Sequence, residues 1–169
     1  MSFTNIEIKA RVDQPEEIRD RLSKVGAVFS GSFEQTDTYF NIQNGRLKLR
    51  ESQDHSSLIW YKRDNQLGPK EAEGKIYSPS SVANLKDLLT SALGEKVTVN
   101  KVREIYTLQN IVIHLDSVKE LGIFMEIEAR SDDSHTIQDL THQCEELITQ
   151  LSIKPTDLVT NSYSDLLLK

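Results

Sequence analysis

Charged and aliphatic residues alternate one for one along several short stretches, and nothing constrains the folding of this chain more. Ile6-Glu7-Ile8-Lys9-Ala10-Arg11-Val12 is the cleanest case. Arg46-Leu47-Lys48-Leu49-Arg50, Lys101-Val102-Arg103 and Phe124-Met125-Glu126-Ile127-Glu128-Ala129 repeat it. A period of two means strands, because successive side chains of a strand point to opposite faces. Leu58 to Arg63 and Ile111 to Asp116, rich in β-branched and aromatic residues, read as further strands. Asn44-Gly45 and Gly68-Pro69 mark turns, the first a strong hairpin signal. Seven or eight strands follow from this patterning. Glu7-Ile-Lys-Ala-Arg is echoed by Glu126-Ile-Glu-Ala-Arg, and no tandem repeat or low-complexity linker interrupts the chain.

Three segments change to helical spacing. Pro15 to Val25 carries Ile18, Leu22 and Val25 on one face, with Asp13 placed to cap it and Gly26 to stop it. Ser81 to Leu93 carries Leu85, Leu88, Leu89 and Ala92. Thr136 to Leu151 carries Ile137, Leu140, Cys144, Leu147 and Leu151, with Pro155 beyond its end. Three amphipathic helices need an apolar surface to cover, and the aliphatic faces of the strands supply one. If the sheet curls into a barrel, the helices pack outside and the ionic faces line a channel. The expected fold is therefore α+β: an antiparallel eight-stranded β-barrel or tunnel with helices outside, in one domain spanning residues 1–169.

The charge inside such a channel runs against the charge of the chain. Lys9, Arg11, Arg46, Lys48, Arg50, Arg63, Lys101 and Arg103 would face Glu7, Asp37, Asp116, Glu126 and Glu128, a local +3 in a chain of net −6. A half-exposed sheet with its polar face in water is the plainer alternative for any one strand, but a solvated face would share the acidic bias of the whole. Enclosed cations repel one another and call for an anion. The acids among them call for a divalent cation, and a metal-bound polyphosphate meets both demands. The net charge of −6 argues against general nucleic-acid binding.

Smaller signals narrow the reading. Trp60 belongs with the aliphatic face, which puts Lys62 outside and Tyr61 and Arg63 inside. His114 shares a face with Asp116, where it would touch phosphate or serve as a hydrogen-bonded structural histidine. His55, His135 and His142 fall in loops or on helix surfaces without zinc-ligand spacing. Cys144, the single cysteine, lies on an apolar stripe and excludes an internal disulfide. No GxxxxGK[ST] loop and no G-x-S-x-G elbow occurs. No apolar run is long enough to span a bilayer, and the opening residues lack the apolar core of a signal peptide, so a cytoplasmic location without membrane attachment is expected.

In this light the chain resembles the CYTH superfamily, the triphosphate tunnel metalloenzymes. Asn5-Ile-Glu7-Ile-Lys9 is similar to the family's ExExK opening. Asp37-Thr-Tyr39-Phe, Arg46-Leu-Lys48-Leu-Arg50, Lys101-Val-Arg103, His114-Leu-Asp116, Leu121-Gly-Ile-Phe-Met-Glu126-Ile-Glu128 and Ser162-Tyr163-Ser-Asp-Leu-Leu follow in the family's order. The last strings look most like the class IV adenylyl cyclase subgroup. The resemblance implies an antiparallel barrel of about eight strands forming a tunnel, and an enzyme dependent on Mg²⁺ or Mn²⁺. It implies that Glu7, Glu126 and Glu128 hold the metal, with Asp116 helping directly or through water. It also implies that Lys9, Lys48, Arg50, Arg63, Lys101 and Arg103 hold a triphosphate, and Arg11, on the same strand face, is placed with them. Lys101, with Tyr39 as partner, would activate water. Asn5 departs from the pattern by replacing the first glutamate, which removes an anionic ligand. Hydrolysis of ATP, thiamine triphosphate or tripolyphosphate is the leading expectation. Cyclisation of ATP to cyclic AMP and pyrophosphate, or binding without catalysis, are the alternatives. The expected assembly is a monomer or a homodimer.

Overall fold

An alternating sheet hides its entire ionic face only by rolling up on itself. The structure, a computed structural model, describes residues 1–53, 55–132 and 134–169, and the sheet closes. The chain runs β1 (Ser2–Arg11), α1 (Pro15–Lys24), β2 (Val28–Phe40), β3 (Arg46–Ser52), β4 (Ser56–Arg63), β5 (Lys70–Tyr77), α2 (Ala83–Leu93), β6 (Glu95–Leu108), β7 (Ile111–Val118), β8 (Gly122–Arg130), α3 (Ile137–Gln150), a short 3-10 turn and α4 (Tyr163–Leu167). The strands form a closed barrel ordered β1-β5-β4-β3-β2-β6-β7-β8, antiparallel at every seam. The α+β barrel expected from the alternation is the fold observed. The echoed motifs of β1 and β8 are hydrogen-bonded neighbours, with Glu7 opposite Glu128 and Lys9 opposite Glu126.

The core lies outside the barrel. Ile6, Ile8, Ile113, Leu115, Met125 and Ile127 turn outward and pack with Leu22 of α1 and Leu140, Cys144, Leu147 and Leu151 at α3. Thr136 caps α3 in a reciprocal capping box with Asp139. Ile137, expected on the buried stripe, is 43% exposed; it is the first residue of α3, and burial begins a turn later at Leu140.

Several expectations need correction. Gln14, not Asp13, stands at the N-cap of α1, and no side chain caps it. Pro15 at the first helical position carries no N–H, so there is one donor fewer to cap. The second helix starts at Ala83 rather than Ser81 and buries none of its residues; Leu88 is 65% exposed. It is tethered to β3 by an ion pair between Lys86 and Glu51 at 2.8 Å. β5 and α4 were not expected. In Lys70-Glu-Ala-Glu-Gly-Lys the charges alternate with small residues instead of aliphatic ones, which mutes the two-residue signal. Gly74 is required there, since a Cβ would lie 2.7 Å from the Trp60 carbonyl oxygen as well as 2.4 Å from the Phe3 ring.

The C-terminal segment completes one end of the barrel. β1 pairs with β5 only as far as Glu7 opposite Lys70. Beyond that point Leu158 bridges Ala10 and the Val159 N–H donates to the Lys9 carbonyl at 2.9 Å. The buried Lys70 ammonium donates to the carbonyls of Val159 and Thr160 at 3.4 and 3.2 Å. Ser162 caps α4, and Asp165 pairs with Arg46 at 2.9 Å.

Candidate active site

Cross-strand register converts the alternation into ion pairs. Arg50 lies opposite Asp37 on β3 and β2, and donates to both of its oxygens at 2.7 Å, while the Lys48 Nζ reaches Asp37 Oδ2 at 2.9 Å. Arg103 lies opposite Asp116 on β6 and β7, and grips it through Nε at 2.7 Å and Nη2 at 2.5 Å. The same Nη2 donates to Glu126 Oε2 at 2.7 Å, and the Lys9 Nζ reaches Glu126 Oε1 at 2.9 Å. Arg63 pairs with Glu7. Lys101 stands between the two buried aspartates, 3.7 Å from Asp37 and 3.8 Å from Asp116.

These groups surround a cavity of about 670 Å³. Its charged lining comprises Lys9, Lys48, Arg50, Arg63, Lys101, Arg103 and Arg130 against Glu7, Glu126 and Glu128, with His114 beside them. Cations dominate. Asp37 and Asp116, 1% and 0% exposed, lie behind the lining as counter-ions. Burial opposes their ionisation, but Arg50, Lys48 and Lys101 around the first, and Arg103 and Lys101 around the second, outweigh it and hold both carboxyls below the usual range. Glu126 is lowered likewise, with Lys9 and Arg103 overcoming burial. Lys101 is lowered to about 7, first by burial and then by Arg103 and Arg50. Burial, and next Arg103, also push His114 down, so its imidazole is neutral.

Most of the residues read from the sequence are brought together here: Glu7, Lys9, Tyr39, Lys48, Arg50, Arg63, Lys101, Arg103, Glu126 and Glu128 share one cavity. Arg11 and Asp116 stand elsewhere, and Tyr39, within the cavity, has a different partner. Arg11 is exposed, lies over the Phe124 ring and donates to the Leu121 carbonyl, because β1 has reached the barrel end by that point. Asp116 faces Arg103 and accepts the Tyr163 hydroxyl at 2.8 Å, so its oxygens are occupied as counter-ion and not open to the cavity. Tyr39 is placed by Lys48, with its ring 5.5 Å from that ammonium and its hydroxyl 3.5 Å from that of Tyr61. The tyrosine ring near Lys101 is that of Tyr163, at 5.3 Å, and the same ring meets Lys9 at 3.6 Å. Tyr163 carried a motif but no assigned role in the sequence. Lys70 carried neither.

The acidic side of the cavity fits a divalent cation. Glu7 and Glu128 face each other across β1 and β8, an arrangement that destabilises a sheet unless a positive charge lies between them. His114 Nδ1 lies 3.7 Å from Glu126 Oε2 and 3.6 Å from Glu128 Oε1. His114 Nδ1 and Asn5 Oδ1 are buried without a hydrogen-bond partner among the described residues. Both atoms have lone pairs to offer a cation. His114, Glu126 and Glu128 each bring one ligand atom within 4.8 Å of the others, a donor set for a dication.

The sequence profile of the CYTH domain matches residues 4–163. The chain belongs to the CYTH family. CYTH proteins are typically enzymes of the triphosphate-tunnel type, and the closed barrel of this chain encloses a cation-lined cavity. The chain is 27% identical to the Methanocaldococcus jannaschii protein named "Putative adenylate cyclase MJ0240", over 95% of this chain and 97% of the relative. Among solved structures it is similar to the PH1012 protein of Pyrococcus horikoshii OT3, with a TM-score of 0.85 and 24% identity over 96% and 98% of the two chains. It is also similar in fold to the Hippeastrum protein "Putative adenylyl cyclase HpAC1", with a TM-score of 0.61 and 16% identity over 97% and 94%. Among the described residues of this CYTH chain, no helix is long and apolar enough to cross a membrane.

Proposed function

We propose that this CYTH protein is a divalent-metal-dependent triphosphatase that hydrolyses an inorganic or organic triphosphate held along the tunnel. One observation carries the reading: six buried or half-buried cations, Lys9, Lys48, Arg50, Arg63, Lys101 and Arg103, converge on one cavity of a chain whose net charge is −6. Guanidinium forks suit pairs of non-bridging phosphate oxygens, and ammonium groups add point charges between them. Within the tunnel these cations are paired with Asp37, Asp116, Glu7 and Glu126. An incoming triphosphate takes over the inward-facing cations, and Glu7 and Glu126 are released toward the metal. Glu7, Glu126 and Glu128 would hold Mg²⁺ or Mn²⁺, which when bound neutralises charge on the phosphoryl oxygens.

Lys101 is the base. Its buried ammonium is lowered to about 7, so near neutral pH it accepts a proton from water. The water oxygen attacks the terminal phosphorus, the bond from that phosphorus to the bridging oxygen breaks, and orthophosphate leaves a diphosphate behind. The proton resides on Lys101 Nζ. Tyr39 stays protonated, because burial and then Asp37 raise its hydroxyl, and from its place beside Lys48 it donates a hydrogen bond to a phosphoryl oxygen. Arg50 and Arg103 stay charged and steady the equatorial oxygens.

The name of the M. jannaschii relative favours a second reading, cyclisation of ATP. There the ribose 3′-hydroxyl attacks the α-phosphorus and pyrophosphate leaves. The apolar lining of Phe3, Ile59, Ile76 and Ile105 offers the nucleoside a surface. The Hippeastrum protein, also named an adenylyl cyclase, is described as having a dominant triphosphatase activity. One assay separates the readings: ATP, thiamine triphosphate and tripolyphosphate with Mg²⁺ or Mn²⁺, resolving orthophosphate, pyrophosphate and cyclic AMP. Orthophosphate release supports hydrolysis. Cyclic AMP with pyrophosphate replaces it by cyclisation, and tight binding with neither product makes the tunnel a non-catalytic receptor.

A further inference from the structure

We infer that His114 is a metal ligand alongside Glu126 and Glu128, and that its nitrogen makes the site select a first-row divalent transition ion over Mg²⁺. The inference rests on the reading above that the tunnel works with a dication, and it specifies which class. A structural histidine deep in a sheet satisfies its ring nitrogens, but His114 is 5% exposed and its Nδ1 has no hydrogen-bond partner among the described residues. A phosphate contact is equally ill served. The polar atoms next to Nδ1 are the carboxylate oxygens of Glu126 and Glu128, at 3.7 and 3.6 Å, and they repel phosphate.

A cation fits those separations. Two ligand atoms each about 2.1 Å from one ion can lie up to about 4.2 Å apart, and both measured distances fall inside that limit. One ligand atom from each of His114, Glu126 and Glu128 lies within 4.8 Å of the other two, so side-chain shifts of a few tenths of an ångström bring all three onto one ion. Glu128 is the least engaged of the acids: besides His114, its nearest cation is Arg130 at 3.9 Å. Glu126 accepts one bond at each oxygen, from Lys9 and from Arg103, which leaves a second lone pair on each oxygen for the ion. Hard Mg²⁺ takes oxygen ligands, whereas imidazole suits the later first-row ions Fe²⁺, Ni²⁺, Cu²⁺ and Zn²⁺, with Mn²⁺ nearest to Mg²⁺ in its preference for oxygen. Asn5 in place of a glutamate removes charge from the oxygen set, which shifts selectivity further toward the nitrogen donor.

Mn²⁺ is the most demanding probe, being the weakest binder of the transition series. Metal-stripped full-length protein is titrated with Mn²⁺ in a nitrogen-free buffer, free Mn²⁺ is read by electron paramagnetic resonance, and Mg²⁺ is added as competitor. The expected result is Mn²⁺ affinity at least about tenfold above that of Mg²⁺. His114→Ala should lower Mn²⁺ affinity about tenfold or more and shift Mg²⁺ less than about twofold. Pulsed resonance on the Mn²⁺-loaded wild type should show a ¹⁴N coupling that His114→Ala lacks. An equal loss for both metals in a folded variant would make the histidine structural and overturn the assignment. If the variant does not fold, the wild-type spectrum decides alone, since no ¹⁴N coupling there overturns it. A wild type with the coupling but no triphosphate turnover upholds the ligand and sinks the triphosphatase reading. Turnover without the coupling does the reverse.

Discussion

Single side chains in this tunnel carry charges whose neighbours set their chemistry. Glu126 accepts from Lys9 and Arg103 and faces the cation site. Glu126→Gln keeps its shape and should lower kcat at least about a hundredfold, with circular dichroism unchanged; undiminished turnover in a folded variant would remove Glu126 from the chemistry. Lys101→Ala should lower kcat by about 10²–10⁴ and triphosphate affinity by less than about tenfold, as read by steady-state kinetics beside calorimetry. A base must be neutral to act, so kcat/KM of the wild type should rise with pH through about 7 and level off above. The limb should vanish in Lys101→Ala. The ionic identity of these residues was legible in the sequence because each lies on an alternating strand. What hid Asp116's role was its partner: nothing in His114-Leu-Asp116 says that Arg103, on the neighbouring strand, already holds both oxygens.

Elements decide how rigidly that charge is held. α3 covers the outer face of β1 and β8 through Leu140, Cys144 and Leu147, each no more than 2% exposed. Leu140→Ala should cost about 2–5 kcal/mol in chemical denaturation while leaving kcat of the folded fraction unchanged, since the helix touches only the aliphatic side of the strands. α4 is held from within the tunnel. Tyr163→Phe withdraws one donor from buried Asp116 and should cost about 1–3 kcal/mol, checked by the same denaturation curve. The helices at 15–25 and 136–151 were legible because their apolar stripes are complete. β5 was not, for its inward residues Lys70, Ala72 and Gly74 are a cation and two small residues, chosen to fit the C-terminal segment and the Phe3 ring.

The whole molecule balances buried cations against buried acids, so its stability must follow pH and ligand. Asp37, Asp116 and Glu126 have native carboxyl pKa values below their ordinary ones. The unfolded chain therefore binds protons first as pH falls. Stability from these groups is full above about pH 5 and is lost as pH drops through the native values, so the melting temperature should fall steeply below about pH 4. A polyanion should act oppositely: tripolyphosphate at a hundred times its Kd should stabilise the fold by about 2.7 kcal/mol. Two-residue alternation alone determined that strands would separate an aliphatic face from an ionic one, and the helical stripes determined which face they would cover. A closed barrel follows, because that separation has few other ways to bury both faces. Register was left to the tertiary structure. Which cation meets which acid depends on how far one strand slides along the next and where the chain ends tuck in. Those offsets paired Arg103 with Asp116, turned Arg11 out to solvent and set His114 between two glutamates.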